Sequence, residues 1–181
     1  MIALQLRGMG WDVGQGQPLV LLEEHDPPGR VLPIWIAEAD AAALELAHLG
    51  MSAARPGTHE LIAAVLAASG RHLTRVVITA LQAHIYYAEL VLDDDTRVSA
   101  RPSDALTLAL RAGADIAASE SVLDLAALPA TAVLEATTAE PLTDPVSELE
   151  PEQQVDLDRF RELLSSATPD DFDLGPDEPP Q

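Results

Sequence analysis

Apolar and polar positions along this chain switch between a period of two and a helical period, and the switches divide it into short alternating elements. Residues 2–9 and 18–23 predict strands, separated by a loop marked by Gly10, Gly14 and Gly16. After a turn at 25–30, Val31 to Ile36 predicts a third strand, whose Pro33 implies an edge position or a bulge. Leucine and alanine at helical spacing then predict a helix from Glu38 to Leu49, stopped by Gly50. A second runs from Thr58 as N-cap to Ser69, stopped by Gly70. Next come strands over Leu73 to Leu81, Ile85 to Leu92 and Arg97 to Ala100, the last two joined by a hairpin through Asp93, Asp94, Asp95 and Thr96. A helix over 103–112 ending at Gly113 and a short one over Val122 to Ala127 close the pattern. Strands and helices in mixed order with local hairpins predict an α+β domain, a mixed or antiparallel sheet packed with helices, rather than a doubly wound parallel sheet.

From Leu128 the composition shifts to Ala, Thr, Pro and Glu, which predicts a folded domain over 1–127 and a flexible linker over 128–151. An amphipathic helix is predicted over 152–166, with Val155, Leu157, Phe160, Leu163 and Leu164 on one stripe, and a disordered acidic tail over 167–181. The helical segment 155–164 is a candidate surface for a protein partner, or for docking on its own domain.

Composition narrows the function. The 181 residues carry a formal charge of −20, with −8 in residues 1–126 and −12 in residues 127–181. Such a chain repels phosphate at long range unless its few arginines converge, which counts against a high-affinity DNA or RNA platform. There is no cysteine, hence no disulfide, thiol nucleophile or thiolate metal site. The absence of a leader pattern or a long apolar run predicts a cytoplasmic protein without membrane insertion. His25, His48, His72 and His84 are scattered with no HExxH spacing, so zinc is not expected, and no nucleotide-binding or organic-cofactor motif occurs. The three consecutive aspartates at 93–95 suit a solvated hairpin tip, and Trp35 and Tyr86, within apolar strands, suit core packing better than base stacking.

The most informative stretch is Arg101-Pro102-Ser103-Asp104, where a strand hands over to a helix. Ser103 suits an N-cap, Asp104 suits the positive end of the helix dipole, and Arg101, held extended by the following proline, can aim a two-pronged donor at a phosphate or carboxylate. A plain structural reading stands beside it: Arg101 pairs with a neighbouring acid and Ser103 only caps.

Four ordered motifs carry a resemblance. Leu32-Pro33-Ile34-Trp35-Ile36 followed by Glu38, then Arg55 to Leu61 (RPGTHEL), Tyr87 to Leu90 (YAEL) and Ser99 to Leu106 (SARPSDAL) resemble the bifunctional nuclease domain family over residues 2–126. The tail helix and the residues after it resemble those of actinobacterial members. The resemblance implies a compact α+β fold and, as in some plant members, degradation of DNA and RNA. At the matched positions Glu38, His59, Glu60 and Asp104 are the candidate catalytic residues, Arg55, Arg101 and Ser103 the candidate anion-binding ones. Asp104 and Glu38 are the candidate ligands for magnesium or manganese. Ala37 and Gly57 depart from the family pattern, which has glycine and a leucine or methionine there. Two functions follow: a metal-assisted nuclease of low sequence specificity, or a non-catalytic module that binds an anion or a partner. Exposed apolar strand faces also suggest a homo-oligomer.

Overall fold

In the computed structural model, which describes residues 1–26, 29–52 and 54–130, eight strands form one sheet and four helices accompany it. The strands are β1 (Ile2–Asp12), β2 (Gln17–Glu24), β3 (Arg30–Trp35), β4 (Leu73–Gln82), β5 (Ile85–Leu92), β6 (Arg97–Ala100), β7 (Asp115–Ala118) and β8 (Leu128–Pro129). The helices are α1 (Glu38–His48), α2 (Thr58–Ala68), α3 (Pro102–Ala112) and α4 (Glu120–Ala126). The sheet order is β6-β5-β4-β7-β1-β2-β3-β8, antiparallel except where β7 runs parallel to β4. The fold is therefore α+β with a mixed sheet: two three-stranded meanders joined edge to edge by β7.

Alternation explains which face is buried. Val20 and Leu22 on β2, Leu32 and Ile34 on β3, Val76 and Ile78 on β4, and Ala88 and Leu90 on β5 all contribute to one core. Because side chains two apart share a face, these pairs line the same side of the sheet. Leu44 of α1, Leu106 and Ala109 of α3 and Val122 and Leu123 of α4 cover it. α2 differs: none of its residues is buried, and Leu61, Ile62 and Val65 are exposed.

The sheet is strongly curled. Tyr86 on β5 donates its hydroxyl to the carbonyl of Pro33 on β3 at 3.0 Å. Five strand places separate these strands, which a flat sheet would hold about 24 Å apart. Among the described residues β8 pairs only with Arg30 and Val31 of β3, so at Pro33 no strand on that side needs the N–H that proline lacks. Trp35 is not a core residue: it is 38% exposed, and its indole N–H donates to Asp12 at 2.8 Å. Leu128 and Pro129 belong to the sheet, two residues past the boundary predicted at 127. The rest of the predicted linker, the helix over 152–166 with its 155–164 stripe and the acidic tail over 167–181 lie outside the described residues. Among the described residues no helix is long and apolar enough to cross a membrane.

Candidate functional site

α3 begins where Pro102 fixes the first helical position, an arrangement in which the missing N–H of proline is harmless. Arg101 is the N-cap residue, with extended backbone and no side-chain cap bond, so Ser103 is not the cap. Ser103 instead lies inside the first turn, buried, and its hydroxyl donates to Asp40 Oδ2 at 3.1 Å. At the other end Gly113, with φ 65°, adopts the left-handed conformation that stops the helix. The cap of α2 is likewise Gly57 rather than Thr58.

Four side chains converge at the start of α3. The Arg101 guanidinium donates to Asp104 through Nε at 2.8 Å and Nη2 at 3.1 Å, and to Asp40 through Nη1 at 3.1 Å and Nη2 at 3.2 Å. His59, from the first turn of α2, places Nε2 3.2 Å from Asp104 Oδ1. Arg101 is largely exposed, while Asp40, Asp104 and His59 are progressively or partly sheltered, at 21%, 34% and 18% side-chain exposure. The guanidinium holds the Asp104 carboxyl below the ordinary aspartate value of 3.8, opposed by partial burial and helped by His59. The two carboxylates in turn raise the Arg101 pKa. Since Asp104 is a carboxylate at neutral pH it can only accept, so His59 Nε2 is the donor in this contact, and in a neutral imidazole Nδ1 would be the acceptor.

This lowered pKa has a measurable consequence. A depressed carboxylate stabilises the fold above its unfolded pKa, and the contribution is lost as pH falls through the folded value. Asp104 stays a carboxylate above about pH 5, so wild type should exceed Asp104→Asn in urea midpoint throughout that range. Below 3.8 the difference should shrink, with protonation removing from wild type what the variant already lacks. A difference that fails to shrink below 3.8 contradicts the ion pairing.

The other predicted site residues lie elsewhere. Glu60 faces Arg111 of α3 at 2.9 Å, a sheltered pair in which Arg111 also bonds the carbonyl of Met51. This ties the end of α1 and the start of α2 to α3. Gly57 gives Glu60 its room, since a Cβ there would meet Glu60 Oε2 at 2.8 Å. Glu38 and Arg55 are exposed and form no side-chain hydrogen bond or ion pair with the described residues. Ala37 has φ −74°, which needs no glycine. Asp40 was missed by sequence reasoning. It stands two residues after Glu38, and positions two apart on a helix do not share a face, so only one of the two acids can turn toward α3.

A divalent metal ion does not fit this arrangement. Hard cations take several oxygens at about 2.0–2.6 Å, yet all four carboxylate oxygens of Asp40 and Asp104 accept from Arg101, with His59 and Ser103 adding to two of them. Among the described residues no group of three His, Asp or Glu is placed to hold a metal. The predicted pair of metal ligands, Asp104 and Glu38, is not assembled: Glu38 makes no contact with the cluster.

The family model described as bifunctional nuclease domain matches residues 20–131 of this chain. Two uncharacterized proteins from two strains of Mycobacterium tuberculosis are each 41% identical over 160 residues, covering 87% of this chain and 90% of the relative. The chain belongs to the bifunctional nuclease domain family, whose domain points in general to nuclease-like chemistry and contact with nucleic acid.

Proposed function

We propose that this protein hydrolyses phosphodiester bonds in DNA and RNA with little sequence choice, using the cluster of His59, Asp104, Arg101 and Asp40. The observation that carries the reading is the approach of His59 Nε2 to Asp104 Oδ1 at 3.2 Å beside an exposed guanidinium. An imidazole is the side chain suited to exchanging protons near neutral pH. With Nε2 committed to Asp104, Nδ1 is left to take a proton from the attacking water or ribose hydroxyl. Asp104 fixes the tautomer and stabilises the imidazolium that forms. Arg101 has one of its five N–H groups uncommitted, and it can meet a non-bridging oxygen of a phosphate. Binding is weak because the charge of −20 opposes a polyanion. No step of the reaction runs through magnesium or manganese, because every carboxylate oxygen of Asp40 and Asp104 already accepts from Arg101. Glu38 and Glu60 have no role in this reading.

A second reading rests on the same hydrogen bonds. Four of the five Arg101 N–H groups and all four carboxylate oxygens already have partners, as a non-catalytic module that binds an anion or partner through its remaining donors would have.

The test is cleavage of single-stranded DNA and RNA by protein from a nuclease-deficient host, with magnesium, manganese or EDTA, beside Asp104→Asn. We expect cleavage by wild type and a loss of about 100-fold in the variant, the scale of general acid–base catalysis. Equal traces in both preparations would leave the binding module. Cleavage surviving EDTA is expected of a hydrolase without a carboxylate-bound metal, and cleavage abolished by EDTA would overturn that part of the proposal.

A further inference from the structure

The start of α3 poses a charge problem independent of what the protein does. Asp40 and Asp104 present four carboxylate oxygens to one small volume, and both side chains are sheltered enough that water screens them incompletely. Two negative charges so close favour either a cation between them or a proton on one of them. The position between them is filled: one guanidinium contacts all four oxygens at 2.8–3.2 Å, bracketing Asp104 with Nε and Nη2 and Asp40 with Nη1 and Nη2. Ser103 adds a donor to Asp40 and His59 one to Asp104.

We infer that Arg101 is the resident cation of the Asp40–Asp104 pair, neutralising it from within and keeping divalent metal ions out. Three properties suit it to that role. A guanidinium does not lose its proton in the working range of a protein, so the pair never becomes empty through titration. Its planar fork matches two carboxylates at once, where a compact ammonium would match one. It is tethered two residues from Ser103 and three from Asp104, so its effective concentration at the pair is that of a short linkage, on the order of millimolar or above. A free divalent cation must displace it and give up its own hydration, which magnesium does reluctantly. The inference does not rest on the proposed hydrolase and holds for a binding module equally.

The test is manganese binding by the full chain, followed through the electron paramagnetic resonance signal of the free ion, for wild type, D40N, R101Q, R101K and the double variant R101Q with D40N. The surface carboxylates of this acidic chain give a common weak background. We expect R101Q to gain one manganese site at least 10-fold tighter than any in wild type. Adding D40N should abolish that site, and R101K, which restores a tethered charge, should bind much less than R101Q. If R101Q binds manganese no better than wild type, or if wild type already holds an ion that Asp40→Asn removes, the inference is wrong. Should R101Q fail to fold by circular dichroism, the comparison of wild type with Asp40→Asn still decides. Equal isotherms support an occupied pair, and a site lost with Asp40 overturns it. No arm depends on cleavage, so an inactive protein would leave the result readable.

Discussion

Replacing His59 by alanine is expected to lower cleavage of single-stranded DNA and RNA by roughly 10²–10⁴-fold at neutral pH, the range spanned by a positioned general base. The loss should fall on kcat with little change in KM, because Arg101 is untouched and the imidazole acts on the proton rather than on substrate binding. The two carboxylates of the cluster are poor substitutes as a base, since all four of their oxygens already accept from Arg101. The fold should survive, since His59 lies in the first turn of a helix with no buried residue, and alanine is a better helix former than histidine. His59→Gln separates chemistry from architecture. Glutamine can keep a donor toward Asp104 but cannot take up a proton in this range, so it should be as inactive as alanine. Single-turnover kinetics on a labelled oligonucleotide, with circular dichroism as the folding control, make the measurement. If the glutamine variant recovers wild-type rates, His59 is a spacer and the acid–base role is wrong.

Much of the fold was legible because its strands alternate. One face of each of β2, β3, β4 and β5 is drawn from Val, Leu, Ile and Ala at every second position, and this is the signal from which strands are read. Helix ends were legible where glycine takes positive φ: Gly50, Gly70 and Gly113 all do so. β7 was not legible. It is four residues long, and its importance comes from pairing with β4 on one side and β1 on the other, a property of the assembled sheet and not of its own sequence. The turn between β4 and β5 gave no local signal either, because Ala83 and His84 adopt φ of 47° and 67° where glycine or asparagine would be usual.

The site was legible in the same partial way. His59, Arg101 and Asp104 come from motifs visible in the chain, and the plain structural reading of Arg101 named the right kind of partner, since the guanidinium pairs with neighbouring acids. What sequence order cannot supply is which acid of α1 turns inward. Glu38 carries the motif, yet Asp40 makes the contact. Glu60 was misplaced for a related reason: adjacent helix residues point about 100° apart, so His59 can face Asp104 while Glu60 reaches Arg111. The N-cap moved from Ser103 to Arg101 because Pro102 takes the first helical position.

α3 is the element on which both fold and site depend, and Leu106→Ala should show it. Leu106 is 1% exposed and packs in the main core among residues of the sheet and of α4. Removing a fully buried leucine side chain costs the transfer free energy of the deleted atoms plus that of the cavity, about 3 kcal/mol within a range of 2–5. Against a total of about 5–15 kcal/mol for a domain, this is a large fraction of the stability, and it corresponds to a fall in Tm of about 10 °C. Val65→Ala on α2 provides the contrast: Val65 is 58% exposed, so its truncation should change stability by less than about 0.5 kcal/mol. Urea unfolding of both variants beside wild type is the measurement. A Leu106→Ala variant within 1 kcal/mol of wild type would mean that the core relaxes around the deletion and that α3 is not anchored there. At temperatures where Leu106→Ala is still folded, the cluster at the start of α3 should remain assembled, because its hydrogen bonds to Asp40 and His59 are made by the turn before Leu106. Activity per folded molecule should then stay near that of wild type. His59→Ala and Leu106→Ala thus separate the site from the fold, since the first removes chemistry from a stable protein and the second removes stability from intact chemistry.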